Sequence, residues 1–402
     1  MSFQDKQSSL IGLQVGEGYI STMQIESKLP EVGVTIFTKM SKMATQCDAI
    51  NLSQGFPDFP VDPHLIDLVN HYMQKGHNQY APMPGHPALR EAIATKTEHC
   101  SGWKPDVEDN ITVTCGAIEA IHSTIAAIVG QGDEVIILEP AYDAYEPIIN
   151  LHGGVAVGVP LRSADYSIDW ELVWDAINAQ TKLLIINSPH NPSGAILTKE
   201  DLESLEGIIE ETGLWLLSDE VYEHIVFDKA EHLSVLRSET LRKHAIVVSS
   251  FGKTFHATGW RLGYFVAPEF LTREIRKVHQ YNTFTIHTPS QLALAEYLKE
   301  PNRYLGVSQL YEEKRDFFLE VMKGSKFRPI PSSGTYFQLM NYADISDEHD
   351  VSFAEWLTKE IGVAAIPTSV FYQDKQDNKV LRFCFAKNEQ TLAGAAEKLS
   401  AL

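Results

Sequence analysis

The chain has 402 residues, of which 44% are hydrophobic and 21% charged, and a formal net charge of −20. That profile fits a globular protein with material for a sizeable core and usually two domains. The acidic balance, with no local basic patch, argues against a general nucleic-acid binder. Four scattered cysteines without a CxxC pair suggest neither a zinc site nor a disulfide framework, and reduced, mostly buried thiols in a cytoplasmic protein are expected.

In chain order, the first residues, MSFQDKQSSLIGLQ, lack the basic start and apolar run of a secretory leader. No run of about 18 apolar residues is present to span a membrane, and no internal repeat or low-complexity tract is visible. The strand-like I-T-V-T-C meets an apolar helix at Gly116–Val129. Gly116, Ala117 and Ile118 thus stand at a helix N-terminus, where backbone N–H groups can receive an anion; an ordinary β–α turn is the plainer alternative. Short apolar runs follow at Glu134–Leu138, Lys182–Asn187, Leu214–Ser218, Ala245–Ser249 and Gly263–Ala267. They are continuous rather than alternating, which predicts strands buried on both faces of a mainly parallel sheet. Thr198-Lys-Glu-Asp201 reads as a capping box opening a helix to about Glu211, closed by Gly213. Strand–helix alternation from about 110 to 270 predicts an open α/β sheet with helices on both sides. Beyond Lys299–Asn302, helices at Tyr311–Met322 and Phe353–Glu360 and the strand-like G-V-A-A-I-P and V-L-R-F-C-F-A predict a smaller α+β domain.

Residues 249–264, S-S-F-G-K-T-F-H-A-T-G-W-R-L-G-Y, contain a Gly-Lys-Thr that imitates a nucleotide-binding loop. The first glycine of that loop is missing, because Val247 stands in its place, and no GxGxxG follows any strand. Lys253 is then either a surface lysine or a carbonyl-reactive amine, which must be partly desolvated to work. Ser250 and Arg261 flank it as donors suited to a phosphate ester. Asp219 closes the apolar strand L-W-L-L-S-D, the strand end that faces the ligand crevice in open α/β sheets. Arg382 lies inside an apolar strand and calls for a carboxylate partner. N-S-P-H-N-P-S-G at 187–194 can be a simple turn, and Tyr142 in E-P-A-Y-D-A-Y can be a core tyrosine.

Together these segments resemble fold-type I pyridoxal-phosphate enzymes, specifically the class I/II aminotransferases. The motifs run in order from Asn51 to Arg382 and cover nearly the whole chain. The resemblance implies pyridoxal 5'-phosphate carried on Lys253, with Asp219 at the pyridinium nitrogen, and Tyr222 and Asn191 at the ring oxygen. It places the phosphate with Gly116–Ile118, Ser250 and Arg261, and stacks Tyr142 on the ring. Arg382, Asn191 and Gly55, in N-L-S-Q-G-F-P-D-F, would hold the substrate carboxylate, and Lys253 would move the α-proton. Tyr80 would reach the phosphate in the neighbouring subunit, so the active site implied is that of a homodimer. The implied division is a large α/β domain at 61–298, and a small α+β domain with N-terminal arm from 1–60 and 299–402.

More narrowly, V-H-Q-Y-N-T-F-T-I-H-T-P-S-Q-L-A-L-A and G-V-A-A-I-P-T-S-V-F resemble bacterial methionine aminotransferases within the kynurenine/glutamine transaminase branch. The substrates implied are methionine and other large apolar or aromatic amino acids, with 2-oxo acids as acceptors. Ile36, Phe37 and Tyr336 are candidate pocket residues. No second arginine for a side-chain carboxylate can be located. His287, in the loop 283–287, either tunes the side-chain preference or is satisfied by backbone partners. A C–S β-lyase on the same scaffold and a non-catalytic binding module are the rival readings.

Overall fold

The computed structural model describes residues 26–402. The segment read above for a leader, and the start of the expected N-terminal arm, lie outside the described residues. In chain order the strands are β1 (Ile50–Asn51), β2 (Ile111–Thr114), β3 (Glu134–Glu139), β4 (Val155–Pro160), β5 (Thr181–Asn187), β6 (Trp215–Asp219), β7 (Ala245–Ser250), β8 (Gly263–Val266), β9 (Arg328–Pro329), β10 (Phe337–Asn341), β11 (Val363–Ala364), β12 (Ile366–Pro367) and β13 (Val380–Cys384). Seven of them form one sheet in the order β2-β8-β7-β6-β5-β3-β4.

The continuous apolar runs become buried strands because successive residues enter two different cores. Ile136, Leu138, Leu184, Ile186, Leu216 and Val247 pack on one face. Val135, Ile137, Leu183, Ile185, Leu217, Ile246 and Val248 pack on the other. All pairs from β4 across to β7 are parallel, whereas β8 runs antiparallel to both β7 and β2. The segment between β7 and β8 turns back at once, with only short helical turns at Phe251–Thr254 and Thr258–Trp260 and no crossover helix. Edge strand β4 was not expected from the sequence: its side chains are mostly half-exposed, and Gly153-Gly154 and Pro160 frame it like a loop.

The expected capping box at Thr198–Asp201 is formed by both of its hydrogen bonds, and the helix runs Lys199–Thr212 with Gly213 left-handed at its end. The helix after β2 is Gly116–Ile128, one residue short of the expected Val129, which is extended. In the C-terminal third the expected helices shift. One spans Val307–Val321, and the other, Asp350–Trp356, passes into a wider π-type turn at Leu357–Ile361. G-V-A-A-I-P divides between two sheets: β11 pairs with β1, and β12 joins the antiparallel sheet β12-β13-β10-β9. A third core fills this region and includes Val221 and Tyr222 from the turn after β6. All four cysteines are free, but only Cys384 is buried and Cys47 is exposed, contrary to the expectation of mostly buried thiols.

The topology gathers several strand termini at one rim. Asn187 pairs with Asp219, Asp219 with Val248, and Gly263 with both Ser250 and Thr114. Every segment singled out around the lysine therefore ends at the carboxyl edge of the large sheet, or begins beside it.

Candidate active site

A cavity of about 280 Å³ opens at this rim. Gly55, Ala117, Ile118, Tyr142, Asn191, Asp219, Tyr222, Ser250, Lys253, Arg261 and Arg382 all line it, so most of the expected site residues converge. Gly116 stands just behind the wall: it has φ +72°, and a Cβ there would lie 2.7 Å from Arg261 Nη2. The left-handed backbone favours glycine there, and a side chain would also push the guanidinium away from the turn. Tyr80 does not join the cavity. It is 81% exposed, meets Phe284 edge-on, and belongs to a separate surface hollow with Thr285–Pro289.

Lys253 sits in the short helix after β7, and its Nζ donates to Tyr336 Oη at 3.1 Å. That hydroxyl in turn donates to the carbonyl of Gly55 at 2.6 Å. Burial of the ammonium, with the Arg382 and Arg261 charges adding to it, brings the lysine pKa down to about 8. The neutral amine is therefore far more populated near neutral pH than that of an exposed lysine.

Asp219 is 4% exposed. Tyr145 Oη donates to its Oδ2 at 2.7 Å and the Val221 N–H to its Oδ1 at 3.3 Å. Desolvation prevails over both hydrogen bonds and pushes its pKa up to about 6. A cation brought against this carboxylate would repair its desolvation. Tyr222 is buried with its ring edge-on to Tyr336 at 5.2 Å, and Lys253 Nζ lies 5.5 Å from the Tyr222 ring centre. Tyr142 stands edge-on to Tyr145 at 5.6 Å, on the cavity wall rather than in the core.

Arg382 occupies the middle of β13 and is 1% exposed. Its Nη1 donates to Asn191 Oδ1 at 2.8 Å and its Nη2 to the Ser53 carbonyl at 3.1 Å, while Nε has no partner among the described residues. Phe337, Phe37 and Phe371 surround the guanidinium, the nearest ring centre being Phe337 at 3.9 Å. The carboxylate partner that the sequence called for is therefore not supplied by the described residues. A buried cation held only by neutral groups is a receptor for an incoming anion.

Sequence reasoning missed two supporting residues. Asn187 accepts the Asn191 N–H at 2.7 Å and donates to the Asp219 carbonyl at 2.8 Å, which ties the two loops together. Tyr145 was hidden inside the quoted E-P-A-Y-D-A-Y, whose second tyrosine could have been questioned as the first was. Among the candidate pocket residues Phe37 lines the cavity and Tyr336 contacts the lysine, but Ile36 packs into the small core instead. His287 is met by the Ser290 hydroxyl at 2.7 Å, not by the backbone.

A buried lysine of lowered pKa, a buried acid, a glycine turn beside an arginine and a buried guanidinium without a carboxylate partner thus share one cavity. The model of the aminotransferase class I and II family matches residues 48–399. The chain belongs to the class I and II aminotransferases. It is a pyridoxal-phosphate-dependent enzyme of the fold-type I architecture. This aminotransferase is 49% identical over 378 residues to the methionine aminotransferase of Escherichia coli, covering 94% of this chain and 98% of that protein. It is 30% identical over 407 residues to human kynurenine–oxoglutarate transaminase 1, covering 92% and 96%. A solved Escherichia coli structure described as having a methionine aminotransferase function superposes with a TM-score of 0.92 at 48% identity, over 94% of this chain and all of that one. The Mycobacterium tuberculosis N-succinyldiaminopimelate aminotransferase structure gives 0.91 at 34%, over 94% of this chain and 100% of that one. Among the described residues no helix is long and apolar enough to cross a membrane.

Proposed function

We propose that this aminotransferase moves the amino group of methionine, and of other large apolar or aromatic amino acids, to a 2-oxo acid. The observation that carries this reading is the cavity wall. Phe37, Ile118, Ile121, Tyr142 and Phe337 supply an apolar surface, and the cationic lining residues are Lys253, Arg261 and Arg382. Arg261 lies against the Gly116 turn and Arg382 takes the α-carboxylate, so neither is left for a second carboxylate on the side chain. The 49% identity to a methionine aminotransferase points the same way.

The residues present fit pyridoxal phosphate: Gly116–Ile118, Ser250 and Arg261 for its phosphate, Asp219 for its ring nitrogen, and Tyr222 and Asn191 for its ring oxygen. Bound there, the cofactor supplies an aldehyde and an electron sink. Arg382 and Asn191, with the Gly55 backbone, hold the substrate carboxylate and so fix the direction of the Cα–H bond. Lys253 Nζ takes the α-proton and carries it as a general base and then acid, for which a pKa of about 8 is well matched. The Phe37, Phe337 and Phe371 rings around Arg382 keep water from the ion pair it forms with the substrate.

Residues 61–298 act as the large domain, and 299–402 with the described part of 1–60 as the small one. The enzyme works in the cytoplasm as a homodimer with Tyr80 of a second copy completing each phosphate site. The exposure of Tyr80 away from its own cavity supports that assignment. The deciding experiment offers methionine, phenylalanine, kynurenine, glutamine and aspartate as donors against several 2-oxo acids. Methionine should be among the best donors and yield 4-methylthio-2-oxobutanoate. Aspartate as the best donor, or methanethiol with 2-oxobutanoate as products, would overturn the assignment.

A further inference from the structure

Behind the cavity, three segments that carry proposed cofactor-binding residues, and one helix that carries none, converge on one largely buried carboxylate. Glu223 directly follows Tyr222 and points the opposite way, into the interior. Its Oε1 accepts Lys96 Nζ at 2.5 Å, the Ser249 hydroxyl at 2.8 Å and the Tyr264 hydroxyl at 3.4 Å. Lys96 also donates to Tyr264 Oη at 2.5 Å. The Lys96 side chain is 4% exposed and that of Glu223 12%. Two of the donors sit beside a proposed phosphate contact: Ser249 precedes Ser250, and Tyr264 follows Arg261-Leu262-Gly263. Lys96 comes from the helix Pro87–Ser101, outside the rim altogether.

We propose that Glu223 and Lys96 are positioning residues for the cofactor. Their ion pair clamps the turn after β6, the end of β7 and the start of β8 to the Pro87–Ser101 helix. It thereby fixes Tyr222, Ser250 and Arg261 relative to one another before the cofactor arrives. A buried ion pair is weak evidence for stability as such, since apolar residues of similar volume often do as well. It does fix geometry, because charge-assisted hydrogen bonds have short, directed optima. Glu220, two residues upstream of Tyr222, is buried on the same side and accepts the Ser218 hydroxyl at 2.8 Å, the Val235 N–H at 3.2 Å and His232 Nε2 at 2.9 Å. The turn that presents Asp219 and Tyr222 to the cavity is thus held from behind at two points.

This clamp rests on the reading that Ser250 and Arg261 receive the phosphate. Its test therefore measures dissociation constants of the apoenzyme for pyridoxal phosphate and for inorganic phosphate, with apoenzyme melting temperature alongside. The variants are Glu223→Gln, the double variant Lys96→Met/Glu223→Gln, and Arg261→Ala as control. Glu223→Gln leaves the lysine cation buried without a counter-charge, so it should lower the melting temperature and weaken both ligands at least tenfold. The double variant removes both charges, so its melting temperature should recover while both ligands remain at least tenfold weaker. With cofactor saturating, KM for methionine should change less than threefold in either variant, because Arg382 belongs to a different sheet. Recovery of affinity together with melting temperature in the double variant would overturn the clamp and leave only a stabilising pair. Unchanged affinity in either variant would also overturn it. If Glu223→Gln does not fold, the double variant alone decides. Phosphate affinity unchanged in Arg261→Ala would instead sink the phosphate-site reading itself.

Discussion

The two halves of the cavity are built in different ways. The cofactor half stands on the large sheet, where Asn187, Asp219 and Ser250 terminate neighbouring strands: the register pairs Asn187 with Asp219 and Asp219 with Val248, two residues before Ser250. The substrate half is assembled from parts far apart in the chain: Arg382 on β13, the Ser53 carbonyl and Gly55 near β1, and Phe37 on the helix Ile36–Gln46. These parts meet through the smaller core. One half should therefore be rigid and hold the cofactor in the absence of substrate. The other depends on how the small core is seated and governs which amino acid enters.

Substitutions can separate the halves, and the largest effect is expected at their meeting point. Lys253→Ala should lower the transamination rate by about 10³-fold, since it removes the proposed general base; single-turnover kinetics with methionine checks this. Asp219→Asn tests the cofactor half through stability. The folded-state pKa of Asp219 is raised to about 6, so the unfolded chain releases this proton first and stability falls as pH climbs from about 4 through 6. At neutral pH the buried carboxylate costs the apoenzyme up to about 3 kcal/mol at 1.36 kcal/mol per unit. Apo Asp219→Asn should thus be more stable than the parent in urea at pH 7, equal to it at pH 4, and much less active.

In the substrate half, Arg382→Ala should lower kcat/KM for methionine by about 100-fold, the worth of a desolvated charge-assisted pair. Cofactor affinity should stay within about threefold. A comparable loss of cofactor would show that the halves are not separable. Tyr145→Phe should have the smallest effect, about a tenfold drop in kcat from losing one hydrogen bond to a carboxylate. A pH profile would show the limb set by Asp219 moving to higher pH, because the bond that opposes desolvation is gone.

The same division decided what could be read in the sequence. The strands of the large sheet were visible because residues entering cores on both faces leave unbroken apolar runs. The residues at their ends were visible because each motif is contiguous. Edge strand β4 was hidden by its half-exposed side chains. G-V-A-A-I-P read as one strand because nothing local marks the break at Ala365, where the chain leaves β1 and joins β13. Arg382 was legible as a charge inside an apolar run, but its company of Asn191, the Ser53 carbonyl and three phenylalanine rings was not. Tyr145 and Asn187 escaped notice for a related reason: a residue that acts by bracing another carries no signature beyond its neighbour's motif.

The central claim is that Lys253 is the residue joined to pyridoxal phosphate at the rim of the large sheet. Borohydride reduction of the purified enzyme, followed by proteolysis and mass spectrometry, tests it most directly. The expected result is a single phosphopyridoxyl-modified peptide, containing Lys253 within Ser249–Arg261. Modification of a different lysine, or no modification in protein reconstituted with the cofactor, would contradict it.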